Sequence, residues 1–491
     1  MKTYRPYSPE QSYLLPPSPR EWLPKEHLAF FILGLIQELD LSAIEKVVQA
    51  KDPRGERPYS PEMMTSLLLY AYATGVYSSR RIERACVEDV AFRVLAGGAH
   101  PHFTTVNVFR ATHLEALGGL FVQVLKACQS EGLVKLAHVA IDGTKMKANA
   151  SKHKAMSFDR MQKDDARLRA EIQEWFDRAE AVDAEEDALH GAYDPKEEIR
   201  LREERLAKMA RAKEALKKEV AAARAVRLRE QAVELRKTAE DMTRTPKNRA
   251  QAATLAKKRD QQASLFDDDS QDPPAPSPDV DLPRNVPPHR PDGMPKPKAQ
   301  RNFTDPESRI MLRDGAFIQA YNAQLAVDEE HQIIVAAAVS NQGPDNEYFE
   351  PMLRRVVENC DAVPETATAD NGYVSEAAIR YAEHIGVEPF ISAGKHRNDG
   401  TQDTTSELPQ HRTDPKLRMR ALLETERGRE IHARRKATVE PVIGQIRAPR
   451  RFGQFSFRGL LKNRCEWLLV CLTHNVLKLW RATRAPLALA A

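Results

Sequence analysis

Leu28, Phe31, Leu35 and Leu39 recur at helical spacing, as do Met64, Leu67, Leu68 and Tyr72 after the start signal Pro58-Tyr59-Ser60-Pro61. These patterns predict an all-helical stretch over 25–130. Thr104-Thr105 are expected to cap a further helix that carries Val108, Leu114 and Leu117. At Leu136-Ala-His-Val-Ala-Ile-Asp142-Gly143 the pattern changes to a short strand that ends in a carboxylate and a glycine. From about 158 to 264 Ala, Glu, Lys, Arg, Leu and Gln dominate, which is the composition of long exposed helices, with breaks expected at Pro195 and Pro246. The β signal returns as a hairpin, Ala316–Asp328 and Gln332–Ser340 joined by a turn at Glu329-Glu330. A helix from about Glu347 to Asn359, a strand Glu365–Asp370, a helix Ser375–Ile385 and a strand Val387–Ser392 follow. This order describes a mixed α/β sheet with a large insertion after its first strand.

The chain of 491 residues has room for several folding units. Residues 1–24, with six prolines, read as an extended arm, and 25–130 as a helical domain in which Arg80, Arg81 and Arg84 make DNA contact a candidate role. A helix-turn-helix and a plain helical bundle both fit that region. Residues 131–157 open an α/β core, 158–264 form the charged insertion, 301–482 complete the core and 483–491 are a tail. Between them, 265–300 holds many aspartates and ten of the 32 prolines, a composition that predicts a disordered linker. The insertion reads as a solvated helical element that pairs with itself or with a partner subunit.

Five scattered cysteines without a CxxC pair argue against a disulfide framework and a zinc site, and fit a reducing cytoplasm. The longest apolar run, Leu28 to Ile36, is too short to span a membrane, so no membrane partner is expected. The net charge of +4 is too mild to announce a polyanion partner. Its distribution says more: between Arg427 and Arg464 stand eleven Lys or Arg against only Glu430 and Glu440.

Asp142 and Asp370 each stand at the carboxyl end of a predicted strand before a glycine-bearing turn, the edge where open α/β sheets gather ligands. Carboxylates converging there suit Mg2+ or Mn2+, although Asp-Gly and Asn-Gly also simply start turns. Glu440 is the candidate third acid, isolated among cations as a salt-bridge partner or as a metal ligand beside a phosphate-binding surface. On a helix Lys436, Glu440 and Arg447 share one face, while Pro441 suggests that Glu440 caps a helix. Asp328 and Asp345 also follow strands, but their turn-like surroundings set them aside. His474 and Asn475 read as packing or hydrogen-bonding residues, and Trp467 and Trp480 as core.

The run Arg434–Trp480, with Thr438-Val-Glu440-Pro-Val-Ile-Gly, Phe457-Arg-Gly-Leu460, Glu466-Trp467 and Cys471-Leu-Thr-His474-Asn475, resembles the C-terminal signature of DDE transposases from bacterial insertion sequences. Val139–Ser151 resembles the first-carboxylate motif of that family, Thr368–Tyr373 the second, and Tyr72–Arg81 its helical N-terminal domain. Ala433, Lys436 and Arg447 stand where many members have Tyr, Arg and Lys. The resemblance implies a ribonuclease-H-like catalytic core with Asp142, Asp370 and Glu440 as an acidic triad for two Mg2+ ions, for which Mn2+ can substitute. In that setting Lys145, Lys147, Lys436, Arg447, Arg450 and Arg451 would hold DNA phosphates. It further implies an enzyme that binds terminal inverted repeats, cuts phosphodiester bonds and joins 3′ ends to target DNA, as a homodimer or a larger assembly. A nuclease with the same core and a silent DNA-binding remnant are the alternatives.

Overall fold

Seven helices open the fold: α1 (Leu28–Glu38), α2 (Ser42–Gln49), α3 (Pro61–Ala73), α4 (Ser79–Glu88), α5 (Val90–Leu95), α6 (Phe103–Thr112) and α7 (Leu114–Ser130). They belong to a computed structural model that describes residues 18–50, 57–182, 195–241, 245–266, 282–292, 294–392 and 415–484. Ser60 caps α3 as the Ser-Pro signal predicts, its hydroxyl accepting from the Met63 N–H at 3.5 Å, with Pro61 in the first turn where its missing N–H costs nothing. The helix expected across Val108, Leu114 and Leu117 is instead two, divided at His113. His102 is the cap, and Thr104-Thr105 lie inside the first turn of α6. Of the expected arm only 18–24 is described, and it contains a 3-10 turn at Pro19–Trp22.

The six-stranded sheet contains β1 (His138–Lys147), β4 (Arg309–Arg313), β5 (Ala316–Asp328), β6 (Ile334–Ser340), β7 (Thr366–Ala369) and β8 (Glu388–Ile391). Its order is β4-β5-β1-β7-β8, with β6 also paired to β5. β5 is long enough to serve three neighbours, meeting β4 with its first half, β6 with its second and β1 along its other edge, all antiparallel. β7 runs parallel to both β1 and β8. Helices α11 (Phe349–Cys360) and α12 (Glu376–His384) form the crossovers, and α13 (Pro415–Glu424), α14 (Glu426–Arg447) and α15 (Leu460–Arg484) close the described chain. The fold is mixed α/β in the order predicted, with β4 as an added edge strand.

One continuous hydrophobic cluster runs from α1 to α15 and into β1, β5, β6 and β7. The joint is α15, which packs on α3, α7 and β6. Asn475 on α15 pairs with both backbone groups of Ile334, donating to its carbonyl at 2.8 Å and accepting from its N–H at 2.9 Å, and the His474 ring stands 3.0 Å from the Gln332 carbonyl oxygen. Trp467 is completely buried, its indole N–H donating to the Gln324 carbonyl at 3.1 Å, and Trp480 is half-buried. All five cysteines are buried, and none is joined in a disulfide among the described residues.

The insertion consists of α8 (Phe158–Val182), α9 (Pro195–Glu240) and α10 (Pro246–Ser264), preceded by the short strand β2 (Ala155–Ser157), which pairs with β3 (Gln300–Asn302). Pro195 and Pro246 each begin a helix, the place where proline is tolerated. The three helices pack on one another in sequence, and Glu219 of α9 ties them to the core through Arg301 at 2.7 Å and through Arg309. The linker expectation needs correction where it is described. Residues 282–285 lie against the end of the sheet because their groups find partners there: the Asn285 N–H donates to Asn341 at 2.9 Å, the Pro283 carbonyl accepts from Ser340, and Leu282 is buried, while Ala299 is buried against Phe158 and Leu216 of the insertion. Residues 267–281 lie outside the described part, as do 1–17 and 485–491. Among the described residues no helix is long and apolar enough to cross a membrane.

Candidate active site

β1 does not end at Asp142 as the sequence suggested; it runs on to Lys147 and places Asp142 in mid-strand, opposite Leu325 of β5. The strand continues because β5 pairs with it residue by residue as far as Lys147, whereas β7 pairs only with His138–Ala140. Gly143 is consequently not a turn residue. A Cβ at Gly143 would lie 2.3 Å from Gln324 Nε2 and 3.0 Å from the Tyr373 hydroxyl, so the glycine lets two buried polar side chains pass close to the strand.

The parallel register pairs Ala140 with Thr368, so two residues further on Asp142 comes level with Asp370, just past the end of β7. The two carboxylates are close enough for the charge of Asp370 to act on Asp142. Asp142 is mostly buried. Burial pushes its carboxyl up to about 6, against the opposing pull of the Gly143 N–H and Arg435, while the charges of Asp370 and Asp345 add to the rise. Asp370 caps its own turn, accepting from the Gly372 N–H at 2.8 Å.

Glu440 sits inside α14, not at a cap, and Pro441 is accommodated in mid-helix. The i−4 carbonyl that Pro441 cannot serve belongs to Ala437, and it accepts instead from the Gln332 side chain at 3.2 Å. The helix crosses β1, β5, β7 and β8 and so brings its acid to the sheet edge. Glu440 remains half exposed and meets Asp142 through one side chain: Arg435 stands 2.9 Å from Asp142 Oδ2 and 3.8 Å from Glu440 Oε1.

Asp345, set aside on sequence, belongs to this group. Lys145 reaches both of its oxygens at 3.0 Å, and Asn322 and Gln324 donate to Oδ1 at 2.7 and 2.9 Å. Asp345 also lies beside Gly372, next to Asp370. Tyr373, fully buried, donates to Gln324 Oε1; burial and then the charges of Asp345, Asp142 and Asp370 hold its hydroxyl well above its ordinary range. His432 on α14 is a second residue that the sequence reading missed. Burial and the Arg435 charge lower its pKa, and its ring contacts the Ala369 carbonyl beside Asp370. Both residues acquire meaning only from contacts distant in sequence. Asp328 accepts from the backbone N–H groups of Lys135 and Leu136.

The basic residues divide. Lys147, Lys436 and Arg451 are exposed, and Arg447 is partly exposed, 3.6 Å from Asp314. Lys145 is committed to Asp345. Arg450 is no phosphate contact: it is buried, donating to the carbonyls of Tyr72 and Val470 at 3.1 and 3.0 Å and to the Thr473 hydroxyl, where it joins α3 to α15.

The donor set is all carboxylate, the hard oxygen chemistry that Mg2+ and Mn2+ accept. As placed, no three acids, histidines or cysteines among the described residues stand close enough to hold an ion together, and Arg435 lies between Asp142 and Glu440. The guanidinium is itself a cation spanning two of the acids, so the pocket accepts positive charge.

Residues 17–112 match the family described as Transposase domain (DUF772), and residues 395–480 match the family described as Transposase DDE domain. Glu440 lies inside the second match; Asp142 and Asp370 lie outside both. No curated protein and no solved structure matches the chain.

Proposed function

We propose, for a chain that its two matched regions place among the insertion-sequence DDE transposases, a DNA transposase that binds the terminal inverted repeats of its element, cuts at their ends and joins the freed 3′ ends to target DNA. The observation that supports this reading is the approach of Asp142, Asp370 and Glu440 to one sheet edge. Asp142 lies on β1, Asp370 just past the end of the parallel strand β7 and close enough for its charge to act on Asp142, and Arg435 stands between Asp142 and Glu440. The strand order and the acids at one sheet edge support a ribonuclease-H-like core.

In this reading Asp142, Asp370 and Glu440 hold two divalent ions, Mg2+ or Mn2+. When bound, such ions supply Lewis acidity for an attacking water or 3′ hydroxyl and for the leaving oxygen of an in-line displacement. The chain's own residues do the rest. Burial of Asp142 keeps water from screening the site, and Tyr373, Gln324 and Asn322 fix the neighbouring acid Asp345. Lys147, Lys436, Arg447 and Arg451 form a cationic rim that holds phosphates without reading sequence. Two element ends must be handled together, which calls for a homodimer or larger assembly.

The test is a paired-end strand-transfer assay beside a gel-shift on one end. Asp142→Ala, Asp370→Ala and Glu440→Ala are each expected to abolish cleavage and joining while end binding persists. Transfer retained by any one of them removes the assignment. Cleavage without joining by the unaltered protein would instead favour a nuclease with the same core.

A further inference from the structure

We infer that Arg435 is a built-in stand-in for the divalent ion: in the metal-free protein its guanidinium spans Asp142 and Glu440, and it must withdraw before an ion can bind there. The inference rests on the carboxylate reading above and adds a residue which that reading does not use. Arg435 lies on α14 five residues before Glu440 and is 9% exposed at its side chain. One guanidinium nitrogen is 2.9 Å from Asp142 Oδ2 and the other 3.8 Å from Glu440 Oε1, while the buried Nε has no hydrogen-bond partner among the described residues.

Three physical points follow. A single positive charge faces Asp142 and Glu440, with Asp370 close by and Lys145 already committed to Asp345, so the site is under-neutralised and a divalent ion answers it better. An ion held by Asp142 and Glu440 would sit within a few ångströms of the guanidinium, and like charges at that range repel strongly in a buried site. Arg435 is also only partly satisfied where it lies, since a buried charged donor without a partner is costly, and withdrawal toward solvent recovers that loss. The neighbouring Arg434 and Lys436 are exposed, so the released guanidinium would join the rim that meets DNA phosphates. Ion binding and phosphate binding would then favour one another, as any coupling between two sites must be reciprocal.

The experiment measures Mn2+ affinity of the full chain without DNA, by titration calorimetry and by electron paramagnetic resonance of free Mn2+, at about pH 8, where Asp142 is ionised. Displacing a charge-assisted hydrogen bond should weaken binding by about tenfold, so Arg435→Gln is expected to bind Mn2+ about tenfold more tightly than the unaltered protein. Equal or weaker binding by a folded Arg435→Gln overturns the inference. Should that variant not fold, the unaltered protein serves: phenylglyoxal labelling of Arg435, read by mass spectrometry, is expected to accelerate severalfold when Mn2+ is added, and an unchanged rate overturns the inference. Asp142→Asn separates the two layers. If it keeps full Mn2+ affinity, the carboxylate reading itself fails; if it loses affinity while Arg435→Gln gains none, only the role of Arg435 fails.

Discussion

Gly143→Ala is the sharpest probe of how the site is built, because two explanations of this glycine differ in sign. Gly143 is paired in the middle of β1 and is not among the left-handed glycines, so backbone freedom is not its purpose. If nothing approached it, alanine would stabilise the strand by roughly 0.5–1 kcal/mol. The structure says otherwise: a Cβ would stand 2.3 Å from Gln324 Nε2 and 3.0 Å from Tyr373 Oη, against the roughly 3.5–4.0 Å at which non-bonded heavy atoms rest. A side-chain amide end can often swing away cheaply, but this one is buried and tied. Gln324 Nε2 donates to Asn322 and Asp345, both at 2.9 Å, and its Oε1 accepts from Tyr373. Tyr373 is fully buried and has no retreat.

Overpacking of a tight site costs about 1–3 kcal/mol, and each buried polar group left unpaired about 1–3 more, so the expected net loss is about 3 kcal/mol or above. Urea unfolding of the full chain, compared through midpoint and slope, reads this directly. Gly444→Ala is the internal control: that glycine lies in α14 with open space around it, and alanine there should gain about 1 kcal/mol. Strand transfer should fall with Gly143→Ala as well, since Asp345 leans on Gln324. Stability within about 0.5 kcal/mol of the unaltered protein would refute the close-approach argument, because surface-like tolerance of that size is what an uncrowded site shows.

Arg450→Met should destabilise the chain by about 3 kcal/mol or more by leaving the carbonyls of Tyr72 and Val470 unserved, while the salt dependence of DNA binding stays unchanged. Lys436→Ala is expected to do the reverse, weakening binding on all sequences and lowering the log–log salt slope by about 1, with stability preserved; filter binding across a salt series measures both. The Asp142 carboxyl, pushed up to about 6 from 3.8 by burial, binds its proton more tightly in the folded than in the unfolded chain. Its contribution to stability is therefore fully present below about pH 4 and is lost as pH rises through about 6, an amount of up to about 3 kcal/mol. Asp142→Asn, studied without divalent ions, should be the more stable protein above that window and equal to the unaltered one below it. Urea midpoints that do not diverge between these pH values would contradict the assignment of burial as the dominant cause.

Much of the core was legible because its strands are apolar on both faces. Ala316–Asp328 and Gln332–Ser340 read as strands without help from the rest of the chain, and the observed β5 and β6 are almost wholly buried. Pro195 and Pro246 read as breaks, and each opens a helix, because proline lacks only an N–H that a first turn does not use. What escaped depends on partners far away in sequence. Asp-Gly looks like a turn until β5, far later in the chain, pairs with both residues and carries β1 on. Asp345 looks like a turn residue until Lys145, 200 positions earlier, folds against it.

Arg450 and Arg451 are indistinguishable as letters in a basic run. Yet one is buried beneath Tyr72 and the other exposed, because the chain leaves α14 there and Arg451 adopts a left-handed φ of 56°. Pro441 carries the same lesson in the opposite direction. A helix-breaking residue is tolerated beside Glu440 because Gln332, at the end of a hairpin 105 positions away in the chain, serves the carbonyl left without its usual donor. The position of the third acid therefore depends on the hairpin turn as much as on its own helix. A change at Gln332 should reach the candidate site without touching any of its acids.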